Sequence, residues 1–469
     1  MRRKKRPVRR LKTNAGLRSN AEKRMERYKS GLIEGYKQGV QAGIESYDAH
    51  FEGTSIIIPS HNEVDSVKAC IEGIMDQTDL PYEVIVVDNG STDGIEHYLK
   101  QLDGQVRYRI LPASSGYTGA ANVGFMMAKG TTILLLDNRI RATENWLDNL
   151  LVCLNSDSSI GIVGPVSAGL TGKQHMALHV DDMEDMQEFA RMNNKSNSSK
   201  WHQVERLSSS CLLFRRELLE RVGYLDEGCT EAPFDAADYG YRARLQGYSL
   251  VCARDAYIHM QPNSNETDEH FSNERERLAP MDIYESASTY FMNKWSGLDE
   301  SFFERDAFAP SRQALMTDEE ISQAKKLGEA LFYPQQLVVK GLGATSYWID
   351  GSTRRPIEGQ YDRMTIRLSQ LDLWRWSVGE KIDAEKVYAY MEMLHDAGNE
   401  RLYNKKVCEC GDGSSYYIEN GKKRMILSRL AAEGWGLQHD LHCMIPKEEL
   451  EAIPEGLPII APITLRQAL

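Results

Sequence analysis

Along residues 51–165, short apolar runs alternate with segments whose apolar positions recur at helical spacing. The clearest run is Val84-Ile85-Val86-Val87, continuous and β-branched, the pattern of a strand buried on both faces. It stops at Asp88-Asn89-Gly90-Ser91-Thr92-Asp93-Gly94, where turn formers and helix-capping side chains concentrate, and a periodic segment begins at Ile95. Residues 54–59 repeat the pattern, followed by Ser60-His61-Asn62-Glu63 and a helical period. The spacing predicts strands over 54–59, 83–88, 106–111, 131–136 and 160–165, and helices over 64–77, 93–102, 119–128 and 145–155. Such alternation specifies an α/β fold, a Rossmann-like, mostly parallel sheet with helices on both faces.

Beyond this block the pattern changes. Residues 166–205 are polar and irregular, and the Asn- and Ser-rich stretch 193–199 reads as a mobile loop, either over an acceptor or as a plain surface insertion. A strand and helix follow within 207–227, then a strand at 249–253 and a closing helix at 288–297. Residues 301–335 read as a helical linker. After it, Tyr347-Trp348-Ile349-Asp350-Gly351 with Arg355-Pro356-Ile357 recurs 69 residues on as Tyr416-Tyr417-Ile418-Glu419-Asn420 with Arg424-Met425-Ile426. Each copy predicts a β-hairpin, with helical pieces at 383–397 and 446–452, hence two small α+β repeats over 336–469. Trp348, Tyr416 and Tyr417 either stack on sugar rings or belong to the core. Ahead of the α/β block, residues 21–47 read as a helix with Gly31, Gly35, Gly39 and Gly43 every fourth residue. Each glycine costs a helix about 1 kcal/mol, and close approach of a partner helix, as in a homo-oligomer, would offset it. The chain thus divides into a tail and helix (1–50), an α/β domain (51–300), a linker (301–335) and the repeats (336–469).

In open α/β sheets ligands bind beyond the carboxyl ends of the strands, and here those ends carry aspartates, asparagines and hydroxyls suited to a nucleotide. The pair "TSIIIPSHNE" and "EVIVVDNGSTDG" resembles the start of the family 2 glycosyltransferases of GT-A fold. "SSGYTGAANVGFMMAKG" resembles that family's third donor motif, in which small residues let a helix N-terminus approach a diphosphate. The resemblance implies an inverting transfer from a nucleotide-diphosphate-sugar donor to a hydroxyl of a carbohydrate or protein acceptor. It implies a donor-binding set of Pro59, Asn62, Glu63, Asp88, Asn89, Ser91, Gly116, Asn122, Asp137, Asn138 and Arg139.

Two positions depart from the family pattern. Where the family has a second metal-binding acid after its fourth strand, this chain has Arg139. Three readings are open there: a metal-independent enzyme using the guanidinium on the diphosphate, a divalent metal (Mn or Mg) held otherwise, with Asp137 and His259 as ligands, or an inactive relative. In "FDAADYGYRARLQGY" the family's middle acids are Ala236 and Ala237, leaving Asp235 and Asp238 as candidate catalytic bases. Either could instead cap the helix and pair with Arg242. The runner-up function is a degenerate glycosyltransferase serving as a carbohydrate-binding or assembly scaffold in a bacterial envelope or spore layer. The C-terminal repeats resemble short modules of bacterial surface-associated proteins.

Composition narrows this further. A length of 469 residues exceeds one ordinary core, and 41% hydrophobic with 26% charged residues is the balance of a soluble globular protein. No apolar run reaches membrane-spanning length, and the basic N-terminus lacks the apolar segment of a signal peptide. Eight Lys or Arg in residues 1–12 predict a disordered arm, solvated or in peripheral contact with an anionic surface. A net charge of −12 argues against nucleic acid as a partner. The 8 scattered cysteines, with only Cys408 and Cys410 close together, point to free thiols in a reducing cytoplasm rather than a zinc site.

Overall fold

The computed structural model describes residues 49–466 other than 103, 179–182, 231, 262–280, 299–317, 397–404, 411–412 and 440–441. The glycine-striped helix, the basic arm and much of the linker therefore lie outside the described residues. The chain separates into two compact units, Met1–Phe51 and Glu52–Leu469, and the second holds the sheets and helices that follow.

Its first half runs β1 (Phe51–Ser60), α1 (Val64–Gln77), β2 (Tyr82–Asp88), α2 (Ile95–Gln101), β3 (Arg107–Ile110), α3 (Gly116–Met127) and β4 (Gly130–Leu136). It continues through β5 (Ile140–Arg141), α4 (Trp146–Ser156), β6 (Ile160–Val166), α5 (Met183–Asn193), β7 (Trp201–Val204), β8 (Cys211–Arg215) and α6 (Arg216–Val222). Then come α7 (Phe234–Leu245), β9 (Ser249–Tyr257), β10 (His259–Met260) and α8 (Met281–Lys294).

Eight strands form one sheet in the order β3-β2-β1-β4-β8-β6-β9-β7. The β1–β2 and β2–β3 pairs are parallel, as is β6–β9, whereas β8 runs antiparallel to both β4 and β6, and β7 antiparallel to β9. The apolar runs are continuous because both faces are covered. Ile57, Ile85, Val87, Ile133 and Leu135 enter one core layer. Their alternating neighbours Ile56, Ile58, Val84, Val86, Leu134 and Leu136 enter the other. Helix α3 lies close on β1 because residue 124 is glycine: a Cβ there would collide with the Ile57 side chain.

The polar stretch expected to be a mobile loop is pinned instead. Asn193 Nδ2 donates to the Arg254 carbonyl at 3.0 Å, and the Asn197 amide donates to Asp255 at 2.7 Å. Asn194 is buried, accepting from the Tyr257 amide at 2.8 Å and donating to Thr143 and Glu144. Lys195 to Ser199 are exposed, as the polar composition implies, while Asn193 and Asn194 satisfy backbone that β9 supplies.

The C-terminal part adds α9 (Asp318–Leu327), β11 (Val338–Lys340), β12 (Ser346–Asp350), β13 (Thr353–Glu358), β14 (Ile366–Arg367), α10 (Gln370–Trp374), β15 (Ser377–Val378), β16 (Ile382–Asp383) and α11 (Ala384–Asp396). After these come β17 (Val407–Glu409), β18 (Ser415–Glu419), β19 (Lys422–Met425), α12 (Arg429–Gly434), β20 (His442–Met444) and α13 (Lys447–Ala452). Strands run β14-β11-β12-β13 in one sheet and β20-β17-β18-β19 in the other. Corresponding pairs have the same sense: Trp348↔Arg355 across β12–β13 matches Tyr417↔Arg424 across β18–β19. Trp348 and Tyr417 are buried and Tyr416 is packed on a core cluster, which places these hairpin aromatics in the core. One apolar cluster joins Ala237, Phe291 and Trp295 of the α/β part to Trp376, Tyr417 and Trp435 of the C-terminal part.

Candidate active site

The carboxyl ends of β1 and β2 meet in a web of side-chain bonds. Asn62, in the left-handed region at φ 54°, accepts at Oδ1 from the Thr92 amide at 2.8 Å, and its own amide donates to Ser91 Oγ at 2.7 Å. Asp88, buried at the end of β2, receives the Ser91 amide at 3.2 Å. Asp93 ties both helix starts together, accepting from the Val64 amide at 2.7 Å and the Ile95 amide at 3.2 Å. Glu63 stands at the N-cap of α1, half-buried, and Pro59 is buried within β1.

Asn89 carries the web to the next loop. Its Oδ1 accepts from the Ser115 amide at 2.8 Å, and its Nδ2 donates to Ser114 Oγ at 3.1 Å. Between them Gly90 adopts φ 79°, and a Cβ there would press on the backbone of Ala113 and Ser114. This web places Ser115 and Gly116 at the start of α3, which has no side-chain N-cap. Backbone N–H groups at such an end point outward toward an anion.

Asn122 does not join this web. It is fully buried, donating to the Leu225 carbonyl and to Glu227 while accepting from the Leu225 amide at 2.9 Å. Its amide fastens α3 to the 225–227 turn, a structural use that the resemblance alone did not distinguish from donor contact.

At the end of β4, Asp137 and Arg139 are both buried and paired with each other in a fork, Nε to Oδ1 and Nη2 to Oδ2, each at 3.1 Å. The Arg139 amide also donates to Asp137 Oδ1 at 2.9 Å. Asn138 donates to Ser60 Oγ at 3.3 Å. Both carboxylate oxygens of Asp137 thus face a guanidinium, a donor set that does not fit a divalent cation. His259 sits on β10 opposite Arg141 of β5, its Nδ1 3.3 Å from the Tyr257 hydroxyl. Burial and then the Arg141 charge push its pKa below the ordinary value, so it is held neutral.

Of the two candidate bases, Asp238 is consumed. It is fully buried, 2.6 Å from Lys294, 2.9 Å from Arg242 and 2.9 Å from the Trp295 indole nitrogen. Burial alone would raise its carboxyl, but the Lys294 and Arg242 charges outweigh it and hold it below the usual range. The pairing with Arg242 is the alternative the sequence left open. Asp235, on the first turn of α7, is buried, with Oδ1 accepting from the Ala236 amide at 2.7 Å. Immediately upstream, Ala232 and Pro233 wall a cavity of about 430 Å³ that Leu170, Gln174, Ser208 and Met260 also line.

Three ligating side chains cluster among the described residues at Asp226, Cys229 and Asp238. Their centre is taken by the Lys294 ammonium, 2.6 Å from Asp226 and 2.6 Å from Asp238. Burial raises the Cys229 thiol far above its ordinary value, which keeps it protonated. The set therefore reads as a buried ion network rather than a metal centre. The same turn receives the C-terminal segment: the Thr464 amide donates to Asp226 at 2.9 Å, the Arg466 amide to Glu227 at 2.7 Å, and the Glu227 amide to the Thr464 carbonyl at 2.9 Å. Asp93, Asp226, Glu227 and Lys294 were not singled out from the sequence. Only Asp93, in the turn after Asp88, carried a local signal there.

Residues 55–223, from β1 to the end of α6, match the family Glycosyl transferase family 2. A chondroitin synthase of Pasteurella multocida is 28% identical over 253 residues, covering 46% of this chain and 26% of that protein. The glycosyltransferase AglE of Haloferax volcanii is 26% identical over 206 residues, covering 43% of this chain and 64% of that protein. This chain therefore corresponds to only part of the length of these relatives. Among solved structures, GalNAc-T7 with UDP, GalNAc and Mn2+ aligns at TM-score 0.39 and 16% identity, over 58% of this chain and 54% of that one. The α/β sheet flanked by helices expected from the sequence is the fold observed, and no described helix is long and apolar enough to cross a membrane.

Proposed function

We propose that this chain transfers a sugar from a nucleotide-diphosphate donor to a hydroxyl, with inversion at the anomeric carbon. The observation that carries the reading is the web of bonds at the ends of β1 and β2, where Asn62, Asp88 and Asn89 are positioned by Ser91, Thr92 and Ser115. It lies within the stretch that matches the glycosyltransferase family. Asp88 with Asn62 and Glu63 binds base and ribose, and the start of α3 at Gly116 receives the diphosphate. Arg139 keeps positive charge at the end of β4, tempered by Asp137. Asp235 takes the acceptor proton as the hydroxyl oxygen bonds to the anomeric carbon. The bond from that carbon to the diphosphate breaks, and its electron pair leaves with the nucleoside diphosphate.

A second reading rests on a specific observation. Asp137 and Asp238, two of the acids at chemical positions, are both neutralised by buried cations. In this reading the chain binds a nucleotide sugar or glycan and assembles with other envelope components without turnover. A thermal-shift screen of nucleotide sugars separates donor binders from bystanders, because binding the native state raises apparent stability. Release of nucleoside diphosphate in the presence of acceptor then separates the two readings. A chain that no nucleotide sugar stabilises would contradict the transferase reading.

A further inference from the structure

The C-terminal part carries two adjoining cavities that share Tyr361 and Arg363. The first, about 420 Å³, is walled by Lys340, Arg363 and Arg367 and by the glycine-containing loop that follows Lys340; Asp362 is the carboxylate on its lining. Lys340 and Arg367 are register partners on the neighbouring parallel strands β11 and β14, and both are exposed. Like charges side by side on one sheet face are destabilising unless an anion joins them. The architecture does not require this pair. In the other C-terminal sheet β17 pairs with β20 in the same parallel sense, and the corresponding partners are Glu409 and Met444.

The second cavity, about 300 Å³, is bounded by Tyr361, Tyr417, Trp435, Met364 and Met391. Tyr361 is held flat against Tyr388, with ring centroids 5.2 Å apart and planes within 18°. Arg363, over the Tyr388 ring at 5.0 Å and 3.7 Å from Glu392, stands where the two cavities meet. A cationic compartment opening into an aromatic one suits a ligand with an anionic group on an apolar-faced ring.

We propose that these joined cavities bind an acidic saccharide, with its anionic group between Lys340, Arg363 and Arg367 and a sugar ring against Tyr361. The site is remote in sequence from the web at β1 and β2 and does not depend on glycosyl transfer. Isothermal titration of the full chain with a heparin tetrasaccharide, inorganic phosphate and maltotetraose tests it. The parent binds the tetrasaccharide, more weakly as salt rises, and does not bind neutral maltotetraose. The Lys340→Ala/Arg367→Ala double variant binds the tetrasaccharide at least tenfold more weakly with a ligand-free melting temperature no lower than the parent's, since both side chains are exposed and repel each other. Tyr361→Ala weakens the tetrasaccharide and leaves phosphate binding as it was. Asp88→Ala, in the other site, binds the tetrasaccharide like the parent. Equal affinity of parent and double variant, or no tetrasaccharide binding by the parent, overturns the proposal. Phosphate binding as tight as the tetrasaccharide, with Tyr361→Ala without effect, reduces the site to a simple anion pocket and overturns the saccharide assignment.

Discussion

Lys294 holds two buried carboxylates. Its ammonium lies between Asp226 and Asp238, and Asp238 in turn holds Arg242, which also reaches Glu329 at 3.1 Å. Removing one member of a buried pair leaves a charge with no water to solvate it, at a cost of about 3–5 kcal/mol. Lys294→Met is therefore expected to lower unfolding free energy by about that amount in urea titrations; a loss below about 1 kcal/mol would show that Asp226 and Asp238 are solvated or protonated in the native state. The sign of the pH dependence follows from Asp238. Its folded pKa is depressed, so its contribution is present above the unfolded value, 3.8, and is lost as pH falls through the folded one. Acid unfolding of the parent should consequently be steeper than that of Asp238→Asn, as read by circular dichroism across the acid range. Arg139 sets a second expectation at this scale. Because its guanidinium already occupies both oxygens of Asp137, turnover should be the same in EDTA as in manganese, and strong manganese dependence would contradict that pairing.

At the scale of elements, the proposed diphosphate site depends on how closely α3 approaches β1. Gly124 faces Ile57 with no room for a Cβ, and the helix start it positions is the proposed diphosphate site. Gly124→Val should cost about 1–3 kcal/mol by overpacking and weaken nucleotide binding along with it; a variant unchanged in both would detach α3 from the site. The strands β1, β2, β4 and β6 were legible in the sequence because they are covered on both faces, so their apolar runs are unbroken and their ends abrupt, whereas β3 is an edge strand of alternating character. What the sequence did not show is the anchoring of the 193–199 segment, because Asn193 and Asn194 satisfy the backbone of β9 and neighbouring turns, a long-range use with no local signature. Asn122 illustrates the same limit, since its type and position fit a donor motif while its bonds belong to the 225–227 turn.

At the scale of the whole chain, the glycosyltransferase-like sheet and the C-terminal sheets share an apolar cluster through Phe291, Trp295, Trp376 and Trp435. The C-terminal segment reaches back to Asp226 and Glu227. The sequence marked the two halves by their differing periodicity, but nothing local in it announced that the segment after Ile460 would bond beside α7. Asp235 is proposed as the base for transfer from a donor held at the ends of β1 and β2. This role is tested most directly by comparing the parent and Asp235→Asn in one assay, nucleoside diphosphate released from a stabilising nucleotide sugar with acceptor present, alongside the donor affinity of each by calorimetry. Asp235→Asn should match the parent in donor affinity and fall in release by about a hundredfold or more. Release by Asp235→Asn at the parent rate would contradict that role.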